Sequence, residues 1–191
     1  MKMHNGTPTP HIDGKPVFAG YLWTPRPSVE GYPAAAATEH YAAAGIHLHA
    51  FDVGVGHEWC GPGEGRASDY DFDTVEQRFG HIIEADPEAR FHLRLQLELS
   101  PRELWWHNRH PQEREVDSGG NPTTQSHASP VWRQQANDFL TQFAQHLKDI
   151  GMAERVFAYQ TGAGHTGEWV KGLTSMRTPC GDYSAPMAQH F

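Results

Sequence analysis

Apolar and polar residues follow one another along this chain in a pattern that predicts four strands separated by helices and long loops. The strand candidates are PVFAGYLW, IHLHAFDV, FHLRLQLEL and VFAYQT, at residues 16–23, 46–53, 91–99 and 156–161. The third is the clearest, because apolar side chains occupy every second position from Phe91 to Leu99. Strands that alternate with helices predict a parallel sheet.

Three helices are predicted between these strands. The first is the alanine-rich segment that ends near residue 44. Asp73 and Glu76 have the spacing of a capping box and predict the start of the second. Ser129 followed by Pro130 predicts the start of the third, because a capping residue precedes a proline at the first helical position. Apolar residues then recur with the helical period.

One face of the third strand is polar, since His92, Arg94, Gln96 and Glu98 alternate with its apolar residues. Helices cover both faces of an open doubly wound sheet, so four polar residues on one face fit that fold poorly. In a (β/α)8 barrel, only one face meets the helices, and the other lines an interior that can bind ligand near its carboxyl end. The sequence therefore predicts an α/β fold of the (β/α)8 TIM-barrel type, with an exposed face of an antiparallel sheet as the alternative.

Composition narrows the classes of protein further. The 191 residues are 38% hydrophobic, which is enough apolar material for a packed core. A net charge of −8 argues against a surface that follows nucleic acid phosphates. No apolar stretch has the length of a membrane span or of a leader peptide. Cys60 and Cys180 are the only cysteines, so we expect a reducing, cytoplasmic location. From the charge and the short apolar stretches, we expect neither nucleic acid nor a membrane as partner.

A carboxylate lies among glycines directly after the fourth strand, in the segment GAGHTGEW at 162–169. Residues 162–167 match G-x-G-x-x-G, and Asp182 follows at the spacing of the acid that binds ribose in dinucleotide sites. Against that interpretation, Glu168 would put a negative charge where pyrophosphate needs a helix amino end. The alternative is that Glu168 is a general acid, with Trp169 as an apolar wall that raises its pKa.

Other candidate residues suit a sugar. Trp105 and Trp106 lie on the loop after the third strand, where an indole can pack on the C–H face of a sugar ring, although one of the two is expected simply to pack the loop onto the barrel. The candidate polar contacts near the strand ends are His49, Asp52, Glu98, Gln160 and His165. For Glu98, a structural ion pair with Arg94 is an equal alternative.

Potential metal ligands lie close together in and after the second strand, which makes a metal site a second candidate. These residues are His47, His49, His57, Glu58 and Cys60. None of the usual ligand spacings, such as C-x-x-C, occurs there. We therefore expect no metal and no other cofactor, and we expect His47 to have a packing role.

These segments, taken in order, resemble glycoside hydrolase family 42 and neighbouring β-galactosidase-like families of clan A. PRELWWHNRHP at 101–111 resembles the loop after that family's third strand, and SHASPVW at 126–132 resembles the start of its third helix. VFAYQ and the later GEW resemble its fourth strand and acid/base position. The similarity covers about residues 16–170. One departure is Gly167, where clan members usually carry the Asn that contacts the sugar 2-hydroxyl.

The resemblance implies a retaining, β-galactosidase-like hydrolase that acts on a β-linked sugar, with Glu168 as the acid/base. It also implies a sugar site shaped by Trp105, Trp106, His165, Gln160 and Trp169. Retention requires a second carboxylate about 5–5.5 Å away as nucleophile. In clan A that nucleophile follows the seventh strand, which this chain has no room for.

We therefore expect the chain to be the N-terminal half of such a barrel. Residues 1–15 would form an N-terminal extension, 16–169 four βα units, and 170–191 an incomplete fourth unit. The open edges of the half-barrel predict self-association. Two other functions stay open: a carbohydrate-binding protein or inactive fragment without catalysis, and a nucleotide-binding oxidoreductase that uses the 162–167 loop.

Overall fold

The computed structural model describes residues 1–24, 34–63, 68–164, 169 and 181–190. Its strands are β1 (Lys2–His4), β2 (Thr7–Thr9), β3 (His11–Ile12), β4 (Lys15–Pro16), β5 (Leu22–Trp23), β6 (Leu48–Gly54), β7 (Arg90–Gln96), β8 (Arg114–Val116), β9 (Pro122–Gln125) and β10 (Val156–Gly162). Its helices are α1 (Ala34–Ala43), α2 (Asp73–Ala85), α3 (Leu104–Arg109), α4 (Pro130–Asp149) and α5 (Ala185–His190).

The central sheet has four parallel strands in the order β5-β6-β7-β10. Each strand therefore lies beside the strand that precedes it in this series along the chain, and all four carboxyl ends meet at one edge. This is the parallel sheet predicted from the alternation of strands and helices. Within the described residues, β5 and β10 each pair on one side only.

The sheet has one apolar side, which packs against α2 and α4 and which we call the helix side. Phe51 and Phe91 lie there with no exposed surface, and their rings pack with Phe79 of α2. Phe139 of α4 extends this core by stacking on Trp59, with 5.6 Å between ring centroids. Burial of this side supplies the main driving force for the fold, since each fully buried ring contributes about 1.5–3 kcal/mol.

Helix α4 begins where the sequence predicts. The Ser129 hydroxyl accepts a hydrogen bond from the Trp132 amide at 3.0 Å, and Pro130 is the first helical residue. The capping box predicted for α2 is wrong, because Phe72 holds the cap position and Asp73 is already helical. Asp71 supplies the nearest side-chain acceptor instead, at 3.2 Å from the Asp73 amide.

The N-terminal segment departs from the predicted first strand. Residues 2–16 form two short hairpins, β1–β2 and β3–β4, around Asn5-Gly6 and Asp13-Gly14. These four turn residues all have positive φ, as a two-residue hairpin turn requires. The second hairpin takes Lys15–Pro16 out of the central sheet, so only Leu22–Trp23 remains of the predicted strand at 16–23.

The connection from β7 to α4 carries structure of its own. It contains α3, a short 3-10 helix at Pro111–Glu113, and the antiparallel pair β8–β9. Helix α5 follows a segment joined to this pair by a hydrogen bond from the Tyr183 amide to the Val116 carbonyl. No helix in the described residues is both long and apolar enough to span a membrane.

Candidate functional site

The side of the sheet opposite α2 and α4, which we call the open side, carries a polar row toward its carboxyl end. Asp52, Arg94 and Gln160 lie at matching register positions on β6, β7 and β10. All three side chains are half-buried. The Asp52 carboxylate pairs with Arg94 across the two strands, with 3.3 Å between Oδ1 and Nη1. The row thus presents an anion, a cation and an amide to one surface, a set that suits hydroxyl groups.

The next row toward the carboxyl end is Gly54, Gln96 and Gly162. Gly54 has φ +133°, and a Cβ at this position would lie 2.1 Å from the Gln96 carbonyl oxygen, so only glycine fits. The buried Glu58 side chain accepts a hydrogen bond from the Gly54 amide at 2.8 Å and fixes the loop that follows. Because two of the three residues in this row are glycines, their side chains do not cover the polar row.

The amino-end half of the open side is aromatic rather than charged. Tyr21 and Phe157 pack against His92, with 5.5 and 6.1 Å between ring centroids. Burial lowers the pKa of His92, and the positive charge of Arg94 lowers it further. A cavity of about 460 Å³ separates these rings from the N-terminal hairpins. Polar chemistry on this side is therefore concentrated at the carboxyl end.

Trp105 lies half-buried beyond the carboxyl ends of the strands. Its indole N–H donates to Glu103 at 3.0 Å, and its ring lies 6.3 Å from that of Trp59. Gly61 makes this position accessible, since a Cβ there would lie 2.3 Å from the indole. The Arg109 guanidinium lies 6.0 Å from the centre of the Trp105 ring. Trp105 is thus fixed in place by its neighbours while part of its surface stays exposed.

Two of the predicted sugar contacts are instead packed inside the protein. Trp106 has no exposed surface, and its N–H donates to Gln135 of α4 at 2.6 Å. It therefore has the loop-packing role that was expected for one tryptophan of the pair. His49 is also fully buried, on the helix side beside Phe91, because its register opposes that of Asp52. Neither side chain reaches a surface, so neither can contact a sugar.

His47 and His49 share one carboxylate. Asp86, which follows α2, lies 2.9 Å from His47 Nδ1 and 2.8 Å from His49 Nε2. Burial alone would raise the pKa of Asp86, but the hydrogen bonds from the two imidazoles lower it overall. His57, Glu58 and Cys60 do not form a metal-binding cluster with these two histidines. The described residues contain no cluster of three or more His, Cys, Asp or Glu able to hold a metal ion.

The glycine-rich segment after β10 is described only in part. Glu168 and His165 lie outside the described residues, so their predicted roles stay predictions. Trp169 is described: the residue is 54% exposed, and its indole N–H donates to the Thr161 carbonyl at 3.0 Å. His127 packs edge-on against this ring at 5.7 Å. His127 was not singled out from the sequence, because the segment SHASPVW that contains it indicated only the start of a helix.

Glu98 follows β7 between two buried leucines and is half-buried. By the alternation along this strand it belongs to the open side, beyond Gln96, as predicted for a residue near the site. Arg94 pairs with Asp52 on the neighbouring strand, and the structural ion pair weighed between Glu98 and Arg94 stays a prediction.

Asp182, the acid that the dinucleotide interpretation needs, is engaged elsewhere. Its carboxylate accepts hydrogen bonds from the Ser126 hydroxyl at 2.5 Å and from the Ser184 amide at 2.9 Å. Burial alone would raise the pKa of Asp182, but these bonds lower it overall. The residue therefore fastens the C-terminal segment to the start of α4, and the dinucleotide alternative loses its ribose ligand.

Comparison with solved structures finds this fold in β-galactosidases. The match to the enzyme from the psychrophilic Marinomonas ef1 has a TM-score of 0.53, with 15% identity over 73% of this chain and 21% of that one. The cold-adapted enzyme from Rahnella sp. R3 gives 0.52, with 20% identity over 78% and 22%. A GH42 enzyme from G. stearothermophilus gives 0.51, with 15% identity over 76% and 21%. No family model and no curated sequence matches.

At these identities the likeness concerns the fold. The chain spans about a fifth of the length of the β-galactosidases it matches. The predicted α/β class and its parallel sheet are confirmed. This chain has a mixed α/β fold that matches part of the structure of TIM-barrel glycosidases of the β-galactosidase type.

Proposed function

We propose that this chain is the N-terminal part of the barrel of a retaining, β-galactosidase-like glycoside hydrolase acting on a β-linked sugar. The observation that carries the proposal is the position of the polar row. Asp52, Arg94 and Gln160 lie toward the carboxyl ends of parallel strands whose fold matches β-galactosidases. In TIM-barrel enzymes, active sites form at the carboxyl ends of the strands.

Glu168 is the proposed general acid/base. It follows the fourth parallel strand and immediately precedes Trp169, whose exposed indole provides an apolar wall. Such a wall disfavours the carboxylate and raises the pKa of the acid, which can then protonate the glycosidic oxygen as the bond to the anomeric carbon breaks. A carboxylate outside this chain would form the covalent glycosyl intermediate, and Glu168 would then deprotonate the water that hydrolyses it.

Asp52, Gln160, Glu98 and Trp105 are the proposed sugar contacts in the described residues. The first two would hydrogen-bond hydroxyl groups from the polar row. Glu98 would do so from the next position beyond β7. Trp105 would offer its exposed ring surface to the C–H face of the sugar. His165 remains a proposed contact from sequence resemblance.

The test uses the complete gene product and two galactosides with different leaving groups. Glu168→Gln should reduce kcat/KM, which reports the step in which the leaving group departs, by about 10²–10⁴-fold for an alkyl β-galactoside, because an alkoxide departs only when protonated. The loss should be far smaller for a dinitrophenyl β-galactoside, whose phenolate departs without a proton. The matched control is Glu88→Gln, an exposed glutamate at the amino end of the sheet. Equal losses on both substrates, or none, would contradict the role of Glu168.

The second candidate is a carbohydrate-binding protein without catalysis. Exposed Trp169 and half-buried Trp105 favour it, because such rings bind sugar whether or not a nucleophile is present. Reading the gene beyond the codon for Phe191 separates the two. A continuing frame with further βα units and a late glutamate supports the hydrolase, whereas sugar-induced changes in tryptophan fluorescence without turnover support the binding protein.

A further inference from the structure

Three aromatic rings connect the carboxyl ends of β7 and β10. Trp132 is buried at the start of α4, and its N–H donates to the Leu97 carbonyl at 3.1 Å. His127 packs on Trp132, with 5.3 Å between ring centroids and 31° between planes. Trp169 completes the series, with an edge-to-face contact to His127 at 5.7 Å and 68°.

Trp169 has a backbone conformation that needs support. Its φ is +56°, in the left-handed region that bulky residues rarely occupy. Such a conformation persists only where the surroundings hold it. The supports visible here are the hydrogen bond to the Thr161 carbonyl and the edge of His127.

His127 is itself held from the opposite side. Its carbonyl accepts a hydrogen bond from the Arg133 side chain at 2.8 Å, and its ring rests on the buried Trp132. His127 is half-buried, whereas Trp169 leaves 54% of its surface exposed. The series therefore runs from a rigid buried ring through a half-buried ring to an exposed one.

We infer that His127 is a positioning residue that fixes the plane of Trp169 as a platform for the leaving-group sugar of a disaccharide substrate. The inference rests on the proposed function and deepens it. Trp169 directly follows Glu168 in the sequence, so the proposal puts its ring beside the leaving oxygen that Glu168 would protonate. A ring held by two fixed partners loses little freedom when a sugar packs on its open face.

The experiment compares KM and kcat for a β-linked disaccharide and for methyl β-galactoside, whose leaving group is too small to cover an indole. His127→Ala should raise the disaccharide KM by roughly threefold to tenfold, as expected for loss of an edge-to-face aromatic contact. Its kcat and both constants for the methyl glycoside should change little. His127→Phe should restore the disaccharide KM, because it keeps an aromatic edge. His81→Ala, on the exposed surface of α2, is the matched control.

A double-mutant cycle addresses positioning directly. Trp169→Ala should raise the disaccharide KM at least as much as His127→Ala, and the double variant should add little more. If His127→Ala alters both substrates equally, or Phe fails to rescue it while thermal unfolding is unchanged, the positioning role is wrong although Glu168 can still be the acid. If wild type hydrolyses nothing, calorimetric binding of the disaccharide decides: binding weakened by His127→Ala supports the platform, and absent binding overturns it.

Discussion

The helix side and the open side of the central sheet differ in what each position demands. On the helix side, Phe51, Phe91 and Leu93 have no exposed surface and interlock with α2 and α4. On the open side, Asp52 and Arg94 keep about a fifth of their surface exposed. Neighbouring residues on one strand therefore face opposite requirements, one for shape and exclusion of water, the other for polar groups at a surface.

The comparison teaches that chemical type alone does not identify a site residue. His49 and Asp52 are both polar residues on β6. His49, however, is buried on the helix side, where its imidazole forms a hydrogen bond with the Asp86 carboxylate. Likewise Trp105 keeps exposed surface while the adjacent Trp106 is buried against α4. In each pair, the side of the element that a residue occupies decides its role.

The largest expected effect comes from opening the helix side. Phe91→Ala should lower the free energy of unfolding by about 3–5 kcal/mol, because it removes a ring that packs with three others and leaves a cavity. Gln160→Ala, a half-buried position on the open side of an edge strand, should change it by about 0.5 kcal/mol or less. Urea unfolding followed by circular dichroism measures both. Equal losses would remove the distinction between the two sides.

An effect of intermediate size on the free energy of unfolding is expected at Asp86, a buried carboxylate on the helix side. Asp86→Asn should cost about 1.5–3 kcal/mol at pH 7, since it weakens hydrogen bonds from two imidazoles to a charged acceptor. The lowered pKa of Asp86 makes the native carboxylate's contribution fully present above its unfolded pKa of about 3.9. That contribution is lost as pH falls through the lower folded pKa.

Urea unfolding of wild type and Asp86→Asn at pH 7, 5 and below 4 tests this pH dependence. The difference between the two proteins should shrink as the pH falls below about 4. A difference that persists unchanged into strong acid would mean that packing, rather than charge, explains the effect of the substitution.

The smallest effect on stability is expected in the polar row itself. Arg94→Gln should cost about 1 kcal/mol or less, because a partly exposed ion pair at 3.3 Å contributes little. In the complete gene product, the same change should also lower kcat/KM for a galactoside. Expressed as a free energy, that loss should exceed the loss in the free energy of unfolding. Parallel measurement of thermal unfolding and hydrolysis checks this. A stability loss as large as that of Phe91→Ala would place Arg94 in the core instead of the site.

Sequence patterns located the regular elements well where one local signal sufficed. The strict alternation from Phe91 to Leu99 assigned the two sides of β7, and Ser129-Pro130 gave the start of α4. The N-terminal hairpins were missed although Asn5-Gly6 and Asp13-Gly14 are strong hairpin signals, because short polar strands lack an apolar pattern. The strand predicted at residues 16–23 was too long for the same reason, because Pro16 belongs to the second hairpin and β5 is only Leu22–Trp23.

The candidate site was predictable as a region and not as a set of contacts. Its place at the carboxyl ends follows from parallel strands in sequential order, which the alternation of elements already implies. Its members depend on partners distant in the chain: Asp52 with Arg94, Trp106 with Gln135, and His127 with Trp169. No local periodicity records such pairings.

By itself, the sequence determined the α/β class, the series of parallel strands and the two-sided character of β7, because backbone geometry and water exclusion act on every second residue. Only the tertiary structure decided which tryptophan is buried, that His47 and His49 share Asp86, and that His127 reaches Trp169. The reason is physical: strand alternation is set between neighbours in the chain, whereas ring contacts and ion pairs form only when distant elements pack together.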